Sequence, residues 1–141
     1  MRDILFRGKT SEGDWVYGYP FVQAKGTEYE ECYILGDLDV RLSIYDLWDC
    51  AEKVDSETIG QYTGIEDKNG KKIFEGDIVS VNGFDIPLFI ELTDLEKEPE
   101  YASISWNCRM SGHPHYLHRL ENKPSKYEVI GNIYDNPELL T

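Results

Sequence analysis

Residues 59–79 read IGQYTGIEDKNGKKIFEGDIV, the most informative stretch of the chain. At its centre, Asn69-Gly70 stands between two runs that carry apolar residues. Both residues tolerate the positive φ that a tight turn requires, so the stretch predicts a β-hairpin. Gly76-Asp77 then predicts a second turn that leads into another strand. The stretch explains why the chain folds and contains no catalytic motif.

Composition places the chain among small globular proteins with an acidic surface. It has 141 residues, of which 40% are hydrophobic and 13% aromatic, which is enough for one ordered domain. The net charge is −13, and a surface of that sign repels nucleic-acid backbones. Direct DNA or RNA binding is therefore disfavoured. The charge favours solubility or a docking surface for a basic partner.

The spacing of the cysteines and the length of the apolar runs indicate the cellular compartment. Cys32, Cys50 and Cys108 are odd in number and far apart, which favours reduced thiols over a disulfide framework. The N-terminus lacks the apolar run of a signal peptide, and no uninterrupted apolar segment has membrane length. We expect a soluble protein in the cytoplasm, with no membrane partner.

The N-terminal half predicts short strands. Residues 4–7 and 15–19 are rich in strand-forming residues and flank a turn at 11–14, and Pro20 either ends the second strand or lies at a sheet edge. Residues 29–35 predict a third strand. Residues 37–54 fit both a helical stripe and a strand alternation, with a slight preference for a short helix or turn that runs into a strand.

The C-terminal half continues this pattern. Residues 78–81 predict a strand, and alternation predicts one buried face formed by Phe84, Ile86, Leu88, Ile90 and Leu92. Residues 107–124 resemble a long irregular connection, and residues 127–134 a last strand. The residues assigned to turns, bulges and a closing helix cap are Gly64, Asn69, Gly70, Gly76, Asp77, Gly131, Asn136 and Pro137.

Short strands joined by glycine-bearing turns favour a mainly β fold, a small SH3-like or rolled β-barrel. We expect residues 59–141 to form the barrel core, built around 59–92 and 101–134. Residues 1–58 would form an N-terminal β-hairpin and acidic extension packed on it, within one compact domain. A short helical turn would close the C-terminus.

Seven segments in this order resemble the YopX family of phage and prophage proteins. The resemblance implies a mainly β fold and an accessory role in a bacteriophage or prophage, with no established activity and no catalytic residue to assign. The matching segments are FRGK (6–9), GDWVYG (13–18), TIGQYTG (58–64), DKNGK (67–71), IFEGDIV (73–79), YEVIGNIY (127–134) and NPELL (136–140).

One cluster of residues suggests a metal site. Cys108 precedes His113, His115 and His118, and these three histidines are all that the chain contains. Zinc takes such nitrogen and sulfur ligands in a tetrahedral arrangement. The spacing matches no standard zinc module, so a solvated loop is the alternative, and a charge switch near neutral pH is another. We predict that the protein uses no cofactor, unless these four residues bind zinc.

Two further sets of side chains have a candidate function. Glu75 and Asp77 could perform acid–base chemistry, but Asp77 is better explained as an acceptor for turn backbone. The aromatic residues of the matched segments are expected in the core, with one or two rings available to a protein partner: Trp15, Tyr17, Tyr19, Tyr62, Phe74 and Tyr134.

The sequence therefore predicts a non-catalytic protein that acts by binding another protein, a second copy of itself included. One alternative is an acidic mimic of nucleic acid that occupies a basic host factor. The other is a metal-binding protein or metal-dependent enzyme that uses the histidine cluster. No P-loop, GxGxxG, GxSxG or HExxH motif is present.

Overall fold

The computed structural model describes residues 4–36, 50–92, 106–112 and 117–140, without the side chains of residues 117 and 118. The described residues form ten strands and two 3-10 turns. The strands are β1 (Phe6–Lys9), β2 (Trp15–Gln23), β3 (Glu31–Leu35), β4 (Ala51–Glu66), β5 (Lys72–Phe74), β6 (Asp77–Val81), β7 (Leu88–Leu92), β8 (Trp106–Arg109), β9 (Leu117–Arg119) and β10 (Tyr127–Asn132).

The strands belong to two compact units, Met1–Tyr62 and Thr63–Thr141, and β4 passes from the first to the second. A mainly β chain with a small barrel is confirmed, as is the short C-terminal helical turn, the 3-10 turn Pro137–Leu140. Within the described residues, no helix has the length and apolar character needed to cross a membrane.

The barrel closes in the first unit. β1 pairs with β2, β2 with β3, β3 with β4, and β4 again with β1, all antiparallel. Cys32, Ile34 and Val54 form its buried core, and Phe6, Val16 and Ile59 pack against them. The closing pairs therefore involve the residues that the sequence analysis assigned to an N-terminal hairpin extension. Local patterns predict neighbouring strands, whereas this closure pairs Phe6 with Gln61 across most of the unit.

The ladder between β4 and β1 is irregular at one point, which we call the bend of β4. Residues 51–54 of this strand pair with β3, whereas Gly60 and Gln61 pair with β1. At the bend the register shifts, so that Lys9 faces Asp55. The Thr58 hydroxyl donates to the Asp55 carbonyl (2.7 Å) and accepts from the Lys9 amide (2.9 Å). One side-chain hydroxyl thus satisfies backbone groups that the irregular ladder leaves open.

Pro20 lies inside β2, opposite Ile34 of β3. β2 pairs with β1 only from Trp15 to Gly18, so at Pro20 the described structure shows one neighbouring strand rather than two. Proline has no amide hydrogen to donate, and this local edge is where a sheet tolerates it. Of the two alternatives that the sequence left open, the edge position is the one found.

In the second unit, β10, β6, β7, β8 and β9 form an antiparallel sheet in that order, and β5 pairs with β4. Buried hydrophobic residues form one cluster at the core of this unit. It consists of Ile73, Val79, Val81, Leu88, Ile90, Cys108, Leu120 and Tyr127. The register of β10 on β6 shifts between Val129 and Gly131, where the sequence analysis placed a bulge.

Two sequence predictions for this unit were wrong in part. The alternation over 84–92 holds at Leu88 and Ile90, whereas Phe84 and Ile86 are exposed because they precede the strand, and Leu92 is exposed as the last residue of the strand. The supposed irregular connection contains β8 and β9. These strands are short and polar, so periodicity does not reveal them. Most of the ambiguous segment 37–54 lies outside the described residues, and its end belongs to β4.

Candidate functional site

The predicted hairpin forms between β4 and β5, with a turn closed by two backbone hydrogen bonds. The Asp67 amide donates to the Lys71 carbonyl (2.8 Å), and the Gly70 amide donates to the Asp67 carbonyl (3.0 Å). Gly70 has a φ of +80°, but among the described non-glycine residues only Ala24 has a positive φ. Of the two residues that tolerate a positive φ, only Gly70 therefore takes one. The arrangement is that of a three-residue loop with a single left-handed glycine.

The Asp67 side chain organises this turn from inside the protein. It is 3% exposed. Its Oδ1 accepts hydrogen bonds from the amides of Asn69 and Lys71, each at 2.9 Å. Its Oδ2 accepts one from the amide of Val129 on β10 (2.9 Å). One carboxylate thus ties the hairpin turn to a strand that lies about sixty residues later in the chain.

The protonation of Asp67 follows from these contacts. Burial by itself raises the pKa of a carboxyl, but the amides of Val129, Lys71 and Asn69 and the charge of Lys71 together hold the pKa of Asp67 below its ordinary value. The group is therefore an ionised acceptor occupied by backbone donors. It is placed to hold structure rather than to move protons.

Asp77 has the same role at the second turn. It is 1% exposed, and its Oδ2 accepts a hydrogen bond from the Phe74 amide (2.8 Å). Gly76 beside it donates to the Ile90 carbonyl and accepts from the Ile133 amide, each at 2.9 Å. The interpretation of Asp77 as an acceptor for turn backbone agrees with this geometry. Gly64, the remaining predicted turn glycine of this stretch, has a φ of +87° near the end of β4.

The C-terminal turn differs in one detail from the helix cap that the sequence suggests. Pro137 does begin the 3-10 turn. The Asn136 side chain, however, accepts a hydrogen bond from the Asn132 amide (3.2 Å), which lies before the turn rather than within it. A Cβ atom on Gly131 would lie 2.6 Å from the same Asn136 oxygen. Gly131 therefore makes room for Asn136.

The predicted metal ligands are only partly described. Cys108 lies on β8 opposite His118 of β9. The Cys108 thiol is fully buried in the apolar core, and burial raises its pKa to about 12 despite the opposing charge of Lys126. A thiol in that state is protonated, whereas metals bind the thiolate. His113, His115 and the side chain of His118 lie outside the described residues, so their part of the site stays a prediction.

Thiol labelling tests the placement of Cys108. In native protein we expect a thiol reagent such as DTNB to modify the exposed Cys50 rapidly and to leave the buried Cys32 and Cys108 unmodified on the same time scale. In denaturant all three should react. A Cys50→Ser variant provides the control, since it should remove the fast phase. Rapid labelling of Cys108 in the folded state would contradict the burial described here.

Two exposed and two half-buried aromatic residues of the first unit share one surface. We call Tyr17, Tyr19 and Phe21 of β2 and Tyr33 of β3 the aromatic face. Alternate residues of a strand point to one side, so the three β2 residues share it, and Tyr33 lies directly opposite Phe21. Tyr17 is 49% exposed and Tyr19 is 47% exposed. The Phe21 and Tyr33 rings stack at 5.2 Å with an interplanar angle of 12°.

Charged groups border the aromatic face at the Tyr33 end. The Tyr33 hydroxyl donates to Glu31, and the Lys53 ammonium lies 3.0 Å from the other oxygen of the same carboxylate. The hydrogen bond from Tyr33 and the nearby Lys53 ammonium lower the pKa of Glu31. The same hydrogen bond raises the pKa of Tyr33. The sequence analysis predicted that one or two rings of its aromatic set lie at the surface. Tyr17 and Tyr19 are exposed, whereas Tyr62 and Phe74 of the same set are buried.

A cavity of about 460 Å³ lies in the first unit at the bend of β4. Lys9, Asp55 and Thr58 are among its lining residues. The Thr58 hydroxyl already bonds the Asp55 carbonyl and the Lys9 amide. The cavity therefore lies beside the register shift between β1 and β4.

Comparison with known proteins gives a family and a fold. A family model described as YopX protein matches residues 6–141. No curated protein matches the chain. Among solved structures the chain is similar to the crystal structure of protein EF1440 from Enterococcus faecalis, at 21% identity over 100% of both chains, with a TM-score of 0.54. At that identity the likeness establishes the shared fold.

Proposed function

The chain belongs to the YopX family, and from this premise we propose that it is a non-catalytic accessory protein that acts by binding another protein. The observation that carries the proposal is the aromatic face, where Tyr17 and Tyr19 each leave almost half of their surface in solvent. Tyrosine is enriched in protein interfaces because it combines a large apolar ring with a polar tip.

The use of the buried carboxylates supports a binding role. Asp67 accepts three backbone amides, and Asp77 accepts the Phe74 amide. General acid or base catalysis needs a carboxyl that can reach substrate with a pKa near the working pH. The Asp67 carboxylate has neither property, since it is buried and its pKa is lowered.

The proposal extends to the biological setting. The resemblance to phage and prophage proteins supports a role encoded by a phage or prophage, and three widely spaced cysteines support action in the reducing cytoplasm of a bacterial host. The partner is a protein of that host or of the phage. Association with a second copy of the chain forms part of the same proposal.

The test is co-purification of the full-length chain from a bacterial host after brief cross-linking, with light scattering to determine the oligomeric state. We expect a partner in defined stoichiometry, and we expect a Tyr17→Ser/Tyr19→Ser variant to lose most of it. Tyr29→Ser is the matched control, because Tyr29 is 74% exposed but lies in the loop between β2 and β3.

Two results would count against the proposal. One is a strictly monomeric protein that enriches no partner over the empty-tag control. The other is turnover of a small molecule by purified protein that disappears when a single carboxylate or imidazole is replaced.

A further inference from the structure

We infer that a groove on the second unit is a docking site for a basic segment of another protein, which inserts a large apolar side chain beside acidic groups. The inference goes beyond the proposed function, because it assigns a binding surface to the second unit in addition to the aromatic face. We call this cavity the apolar groove. It has a volume of about 350 Å³, and its described lining includes Asp85, Ile86, Pro87, Met110, Leu139 and Leu140.

The apolar groove has the size and composition of a small binding pocket. Five of the six residues just named are apolar. Pockets that bind ligands typically have volumes of about 300–1,000 Å³ and are lined mainly by apolar side chains. A volume at the lower end of that range suits one or two side chains of a partner rather than a whole helix.

Ile86 is exposed in this groove although the alternation in the sequence assigns it to a buried face. It is 50% exposed, whereas Leu88, two residues later, is 1% exposed. Core packing therefore does not account for this apolar side chain. Single exposed apolar residues are common on protein surfaces, but Ile86 joins four other apolar residues in one concave site. Such a group indicates a surface for binding.

The closing 3-10 turn Pro137–Leu140 forms a wall of the groove that is fixed by backbone hydrogen bonds. The Leu139 amide donates to the Asn136 carbonyl (3.1 Å), and the Asn136 amide donates to the Asn132 carbonyl (2.9 Å). Met110 packs in part against the core cluster, and its flexible side chain adapts to different apolar shapes. A groove with a fixed wall and one adaptable residue loses little conformational entropy when a partner binds.

The charge at the groove selects the sign of the partner. Asp85 lines it, Glu138 lies in the closing turn, and both are exposed. No basic residue is among the described residues that line the groove. Arg109 lies at the end of β8, and its guanidinium pairs with Glu91. A basic segment is therefore attracted, whereas a second copy of this chain, which carries −13, is repelled.

Titration of a peptide into the full-length protein tests the inference. The probe is a nine-residue peptide of alternating lysine and serine with a leucine at its centre. We expect saturable binding, with NMR chemical-shift changes concentrated at Ile86, Met110 and Leu139. Replacement of the central leucine by serine should weaken binding about tenfold, because the apolar contact is lost. Replacement of the lysines by glutamates should abolish binding.

An Ile86→Ser substitution should raise the Kd for the leucine peptide about fivefold. Ile130→Ser is the matched control, because Ile130 is 40% exposed on β10 and is not among the described residues that line the groove. It should change the Kd less than about twofold. Circular dichroism verifies that both variants are folded. The inference is wrong if wild type binds the leucine peptide no better than the serine peptide, or if the two variants weaken binding equally.

A second pair of variants tests the acidic groups separately. Asp85→Asn/Glu138→Gln should raise the Kd about threefold and reduce its dependence on salt concentration. Glu12→Gln/Asp14→Asn removes the same number of charges from exposed positions between β1 and β2, and it should change the Kd less. Equal effects of the two double variants would show that the net charge of the chain attracts the peptide, and would overturn the inference.

The outcome is distinguishable from that of the proposed function. If wild type enriches a cellular partner through the aromatic face but discriminates neither the leucine peptide nor Ile86→Ser, the groove inference fails alone. If wild type enriches no partner and the leucine peptide still binds at the groove, the proposed function fails and the groove inference stands.

Discussion

A Gly18→Ala substitution is expected to prevent the first unit from folding stably, with a loss of at least about 4 kcal/mol in the free energy of unfolding. Gly18 has a φ of +156°, and its added Cβ would be 1.7 Å from the Leu35 carbonyl oxygen. That contact is with backbone, so relief requires β2 to move away from β3. The consequence is the loss of the ladder that contributes to closing the barrel.

Gly26→Ala is the matched control for Gly18→Ala. Gly26 has a φ of +82°, also in the region that favours glycine, but nothing lies within 4 Å of its added Cβ. Its substitution should cost about 1 kcal/mol from backbone strain alone. Urea unfolding followed by circular dichroism, with hydrogen exchange of the β2 and β3 amides, measures both. Equal losses in the two variants would show that the close approach to Leu35 does not matter.

An Asp67→Ala substitution should destabilise the second unit by about 3–5 kcal/mol, because a hydrogen bond to a charged group contributes about 1.5–3 kcal/mol and three such bonds are lost. The change removes the acceptor for the amides of Asn69, Lys71 and Val129 together. Asp85→Ala, at an exposed position in the same unit, should change the stability by less than about 0.5 kcal/mol. Similar unfolding midpoints for the two variants would contradict the role assigned to Asp67.

Asp67 also predicts how stability depends on pH. Its pKa is lower in the folded state than in the unfolded chain, so ionised Asp67 contributes its full stabilisation above the unfolded pKa. That contribution disappears as the pH falls through the folded pKa. Wild-type protein should therefore lose stability in acid more steeply than Asp67→Ala. Parallel stability curves for the two proteins below the ordinary pKa range of aspartic acid would exclude this coupling.

The exposed aromatic residues could be recognised from sequence only in part. Alternation in 15–19 places Tyr17 and Tyr19 on one side of a strand, and it cannot say which side faces solvent. The pairing of Phe21 with Tyr33 depends on the register between β2 and β3, which no local signal determines. The role of Asp67 could also be predicted only in part, since one of the three amides that donate to it belongs to Val129 near the end of the chain.

Local chemistry was sufficient to predict the mainly β class and three turns, at Asn69-Gly70, Gly76-Asp77 and Pro137. The reason is that glycine, proline and short polar side chains influence φ and ψ at their own positions. Tertiary structure alone decided that the barrel closes between β1 and β4, that Thr58 bonds the backbone of both strands at their register shift, and that Cys108 is a core thiol. Each of these depends on residues that are distant in sequence. Their free energy comes from burial and from satisfying backbone groups in the folded chain, which a local pattern does not record.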